Sequence, residues 1–135
     1  MAETNTIIVT QDKIDRLNGL LGDFCNRANT VWSLLITIYG QLLVQKGFIY
    51  SFDILTISAL VCGVFSSTME LARIVGEDKF DQFLQEGKKF CVYYIGVNKE
   101  YLLVSLFDDR TLPGVVKVAG KEFSTEAVKI LRNES

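Results

Sequence analysis

The chain has 135 residues, 14 basic and 16 acidic side chains and no histidine, a size that makes one domain and buries about two-thirds of the unfolded surface. Near-balanced charge, with a pI of about 5.1, leaves no electrostatic footprint for nucleic acid or an anionic membrane. The missing histidine removes the commonest general base and metal ligand, and with them every Ser-His or Cys-His nucleophile pair.

The polar start MAETNT does not read as a signal sequence, and residues 6–9 read as a short extended segment. Thr10 can cap a helix running to about Asn29, with Asp12 in the first turn, where the helix dipole favours an acid. Ile14, Leu17, Leu20, Leu21, Phe24, Cys25 and Ala28 give it one apolar stripe. Residues 31–37 and 42–45 are β-branched or apolar runs around Tyr39-Gly40, the pattern of a hairpin, and Gly47 marks a bend. Ser51 or Asp53 then caps a second helix that ends at Gly76. Residues 79–85 read as a helical turn before Gly87; strands are expected over 90–97, 101–107 and 114–118, and a last helix over about 122–131. The expected fold is α+β: a five-stranded antiparallel sheet with helices on both faces, in the order α-β-β-α-β-β-β-α, as a single domain over residues 1–135.

An unusually high 49% of residues are hydrophobic and mean hydropathy is +0.25. In a small soluble domain such a surplus is commonly covered by a partner. The uncharged run 28–45 breaks at a turn signal, and the run 54–69 is shorter than the roughly 20 residues of a span, so a soluble, cytoplasmic protein without membrane insertion is expected. Cys25, Cys62 and Cys91 lack CxxC spacing and read as reduced thiols, so neither a metal site nor a disulfide framework is expected. Neither GxxxxGK[ST] nor GxGxxG occurs, so no bound nucleotide or other cofactor is expected.

The second helix carries the most information. At 100° per residue, Ile57, Leu60, Val61, Val64, Thr68, Leu71, Ala72 and Val75 form one broad stripe, the expected sheet-facing side. Opposite lie Ala59, Cys62, Gly63, Ser66, Glu70 and Arg73, with Phe65 and Met69 on one flank and Ser67 and Ile74 on the other. Glycine inside a helix costs about 1 kcal/mol against alanine, and small residues on an outer face allow close approach of another backbone. That approach fits a twin helix in a homodimer, or a third protein seated on two such helices. Arg73 could serve a partner as a catalytic cation, but Glu70 three residues earlier is a ready ion-pair partner, so no catalysis is assigned to it.

The segments LVCGVFSSTMELARIVGEDKFDQFLQEGKKF and YLLVSLFDDRTLPGVVKVAGKEF, together with the element order, resemble the Roadblock/dynein light chain superfamily and, within it, the bacterial MglB-like proteins. The matching steps are Val75-Gly76-Glu77, then Phe80, Gly87 and Lys88-Lys89, and finally Leu106-Phe107-Asp108, Pro113-Gly114 and Val116-Lys117-Val118. MglB-like chains often continue beyond the last helix, and here Ser135 follows it closely. The resemblance implies a homodimer joined through its third strand and second helix. On that basis Phe90, Val92 and Tyr94 are expected in the joining strand, whose two apolar faces suit a strand buried on both sides. Cys62, Phe65 and Met69 are expected at the paired helices. It further implies a Ras-like GTPase of MglA type as partner, contacted by Ala59, Gly63, Ser66, Ser67 and Glu70. The family's regulators raise GTP hydrolysis by stabilising the GTPase's own active conformation without an arginine finger, so no catalytic residue is expected in this chain. Other Roadblock dimers are scaffolds or light chains that hold GTPases or motor complexes without activating them, which is the alternative. An enzymatic site is the weakest reading: Asp108-Asp109 suits a solvated turn, and Cys62 has no base near it in sequence.

Overall fold

The computed structural model describes residues 7–47, 53–78 and 81–132; Thr6, Ser51, Lys79 and Phe80, discussed above, lie outside them. Helix α1 (Gln11–Ala28) is opened by Thr10, whose hydroxyl accepts from the Lys13 amide, and closed by Asn29 in the left-handed region at φ 54°. Strands β1 (Trp32–Thr37) and β2 (Leu42–Gly47) form the expected hairpin around Gly40. Gly47, at φ 110°, is required: a Cβ there would lie 2.3 Å from the Val31 carbonyl oxygen.

Helix α2 (Ile54–Ile74) starts at Asp53, which accepts from the amides of Leu55 and Thr56 and from the Thr56 hydroxyl at 2.7 Å. Those bonds, the Thr56 hydroxyl first, hold the Asp53 carboxyl below the usual carboxylate range. The helix closes as the sequence indicates. Gly76 takes φ 88°, its amide donates to the Arg73 carbonyl, and the Glu77 amide reaches back to the Ala72 carbonyl at 2.8 Å.

Strands β3 (Gln82–Glu86), β4 (Cys91–Val97) and β5 (Tyr101–Phe107) precede α3 (Pro113–Arg132), and the antiparallel sheet runs β2-β1-β5-β4-β3. The number and order of elements match expectation, but two segments change type. Residues 82–85 are strand, not a helical turn, because Phe83 and Leu84 pack into the cores on opposite faces of the sheet, as consecutive strand residues do. Residues 114–118 open α3 instead of forming a strand. Pro113 suits a first helical turn, and Val116, Ala119, Gly120, Phe123, Ala127, Ile130 and Leu131 recur at helical spacing and are buried.

These changes move the sheet edge. Segment 91–97 is an interior strand, hydrogen-bonded to β3 on one side and β5 on the other. Phe90, Val92 and Tyr94 therefore do not lie on a free edge; Val92 and Tyr94 pack beneath α2, and Phe90 is exposed in the turn before β4. The edge on that side is β3.

Helices α1 and α3 cover one face, where Leu17, Leu21, Phe24, Val116, Phe123 and Leu131 meet Leu35, Tyr93, Leu103 and Phe107. Among the described residues, helix α2 lies alone on the other, above Trp32, Leu34, Ile36, Tyr94, Leu102 and Val104.

Candidate functional site

Only Ser58, Val61 and Ala72 of the 21 residues in α2 are buried. Ile54, Ile57, Cys62, Val64 and Phe65 are half-buried against the sheet. The inner side is thus turned by roughly 70° from the stripe expected at 100° per residue. Leu60, Leu71 and Val75, expected inside, are exposed, and Leu60 retains 65% of its accessible surface. Cys62 and Phe65 make the opposite move. Cys62 Sγ donates to the Thr37 carbonyl at 3.3 Å, and burial pushes its thiol pKa up, which disfavours a reactive thiolate. The Phe65 ring stacks on Phe83, which stacks in turn on Tyr94 with 4.6 Å between centroids. Met69 is half-buried at the rim of an open groove of about 590 Å3 that also involves Phe65, Gly96, Lys99 and Lys121.

The expected partner-contacting residues stay outside. Ala59, Gly63, Ser66, Ser67 and Glu70 are all exposed on one side of α2, and a Cβ built on Gly63 would meet nothing within 4 Å. They form a shallow, small-residue strip flanked by exposed Leu60, Leu71 and Ile74. Glu70 and Arg73 close its C-terminal end as a forked pair: Arg73 Nε donates to both Glu70 carboxylate oxygens at 3.1 Å, and one terminal guanidinium nitrogen also contacts Oε1. The pairing lowers the Glu70 pKa and raises that of Arg73. The arginine is occupied as the spacing indicates.

Two surfaces were not expected from the sequence. One is the apolar rim of Leu60, Leu71 and Ile74, hidden by the misplaced helix phase. The other is the open edge of β3, whose only sequence signal is an adjacent Phe83-Leu84 pair between two glutamines and just ahead of Gly87. Asp108 accepts from the backbone amide and the Nε of Arg110, which hold its pKa low, and so acts as a turn residue before α3. No group of three or more His, Cys, Asp or Glu side chains among the described residues could hold a metal ion. By length and composition α2 is also apolar enough to cross a membrane, yet its inner side packs on the sheet.

No family model and no curated protein matches this sequence. Solved structures do match its fold. Myxococcus xanthus MglB superposes with a TM-score of 0.87 at 27% identity, over 93% of this chain and 95% of that one. The gliding protein MglB of Thermus thermophilus gives 0.85 at 24%, over 98% and 100%. A Roadblock/LC7 domain of Streptomyces avermitilis gives 0.78 at 14%, over 86% and 98%.

Proposed function

We propose that this chain, which has the Roadblock fold in its MglB-like form, is a cytoplasmic, homodimeric regulator of a small Ras-like GTPase of MglA type. In this reading it raises the GTPase's hydrolysis rate by holding that protein in its active conformation. Phosphoryl transfer depends largely on positioning and charge stabilisation, so a partner can accelerate it without donating a catalytic group.

One observation carries the reading. Helix α2 carries no charge from Ile54 to Met69, leaves 18 of its 21 residues less than fully buried, and presents Ala59, Gly63, Ser66 and Ser67 outward as a smooth strip. A surface of that kind calls for a protein cover. In this reading the work expected of α2 is divided differently. The apolar rim of Leu60, Leu71 and Ile74 suits the twin helix of a second copy, with Met69 at its margin and Cys62 and Phe65 supporting it from below. The strip from Ala59 to Glu70 suits the GTPase. The edge strand β3, in place of β4, then joins the two sheets. The engaged Arg73 agrees with a mechanism that needs no arginine finger.

The test is single-turnover GTP hydrolysis by the same organism's MglA-like GTPase, titrated with this protein and with its Ser66→Arg variant. A saturating rise in rate that the variant loses while remaining folded establishes activation through α2. Binding to the GTP form without acceleration makes the protein a scaffold, the second reading, which the same smooth strip supports equally. An unfolded variant, or one that binds unchanged, rejects this placement of the contact.

A further inference from the structure

The edge strand β3 is five residues long and, among the described residues, has a neighbour on one side only. A strand unpaired along one margin is held from one side and opens more readily than an interior strand. Two consecutive residues of β4 hold β3 from opposite faces. Tyr93, completely buried on the α1/α3 side, donates its hydroxyl to Gln82 Oε1 at 2.7 Å. Tyr94, buried on the α2 side, donates to Gln85 Oε1 at 2.6 Å. In the register of the pair, Gln82 lies opposite Ile95 and Gln85 opposite Val92. Each phenol therefore reaches diagonally to one end of β3, and the two bonds pin both ends.

The Tyr93 bond depends on a third residue far away in sequence. A Cβ at Gly120 of α3 would lie 2.1 Å from the Tyr93 hydroxyl oxygen and 2.6 Å from two of its ring carbons. No side chain fits there while the ring stays in place. Gly120 is a notch in α3 through which the phenol reaches the edge strand, at the cost glycine carries inside a helix. The neighbouring inward positions Val116, Ala119 and Phe123 all carry side chains, so the gap is local to the Tyr93 ring.

We propose that Tyr93 and Tyr94, with Gly120 as the notch that admits Tyr93, are positioning residues for self-association: they hold β3 in the register and extension that a second copy needs to pair with it. This rests on the homodimer proposed above. A preordered edge does not have to lose its conformational freedom when the second chain arrives, and that reduces the cost of association.

The test uses the full chain with Tyr93→Phe, Tyr94→Phe and the double variant, which keep both rings and delete only the hydroxyls. Gln82→Met removes an acceptor with every tyrosine intact, and serves if a phenylalanine variant folds poorly. Self-association is measured by sedimentation equilibrium, and amide hydrogen exchange is followed strand by strand. Net hydrogen-bond contributions predict a dimer dissociation constant raised about threefold to tenfold for each single change. Exchange should quicken in β3 while β1 and β5 keep their protection, which a general loss of stability would not produce. Gly120→Ala should quicken β3 exchange too, but with a loss of overall stability of about 1–3 kcal/mol, because a fully buried ring must leave its seat. Unchanged β3 exchange in the double variant overturns the tether even if the wild type dimerises. A wild type that is monomeric at every concentration overturns the dimer reading instead, and β3 exchange still reports whether the phenols hold the strand.

Discussion

The two faces of the sheet are covered in different ways. On one, two helices lie side by side, Leu17, Leu21 and Val116 are fully buried, and the rim is bridged by an Arg27–Glu122 ion pair. Even the polar interior there is matched, with the opposed Ser33 and Ser105 hydroxyls bonded to each other at 2.8 Å. On the other face one helix does the covering. Leu60, Leu71 and Ile74 remain exposed, and the Ser58 hydroxyl is buried with no hydrogen-bond partner among the described residues. The first face is finished within the chain, and the second has the composition of an interior without its closure. Apart from the Tyr93 hydroxyl, which reaches the edge strand, residues of the first should therefore govern stability, and outward residues of the second should govern association.

The strongest challenge to that division is a pair of truncations. Phe123→Ala should cost about 3–5 kcal/mol in urea unfolding at low protein concentration, as large core deletions do. Leu60→Ala should stay within about 0.5 kcal/mol under the same conditions. Equal losses would erase the distinction between the faces. Next in size, Leu60→Ser combined with Leu71→Ser should weaken self-association about a hundredfold or more in sedimentation equilibrium, since about 1.5 kcal/mol or more is forfeited for each leucine no longer buried between copies. An unaffected dimer would place the seam elsewhere. The smallest effect concerns acid. Asp53 at the opening of α2 and Asp108 ahead of α3 both have folded pKa values below their unfolded ones, through Thr56 and Arg110 respectively. The stabilisation each supplies is present above about pH 4 and is lost as pH falls through the lowered folded value. Asp53→Asn and Asp108→Asn should each flatten the acid limb of a stability-against-pH curve, and a limb unchanged in both would show that neither contact contributes.

Much of this was legible in the sequence: α1 with its cap, the hairpin at Gly40, the ends of α2 at Asp53 and Gly76, and the outward placement of Ala59, Gly63, Ser66, Ser67 and Glu70. The errors share a cause. Helix α2 is apolar nearly all round, so its periodicity fixes a helix but only weakly fixes its phase, and the sheet chose Val61 and Ala72 over Leu60 and Leu71. In the same way, the Gln-Phe-Leu-Gln run has ordinary helix formers and became a strand through its pairing with β4. Val115, Val116 and Val118 favour strands locally and became helical, because the buried spacing from Val116 to Leu131 serves one side of α3. Local preference lost in both places to tertiary packing. Misplacing these two segments also put the expected joining strand at β4, which is interior, with β3 at the edge.

Trp32 packs under α2 with 5% of its surface exposed and is the single tryptophan of the chain. The molecule thus carries its tryptophan on the α2 face, and tyrosines but no tryptophan in the core of the other. Its emission should redden when α2 lifts or loosens, long before the α1/α3 core yields. The unmodified protein can report by light alone when α2 parts from the sheet.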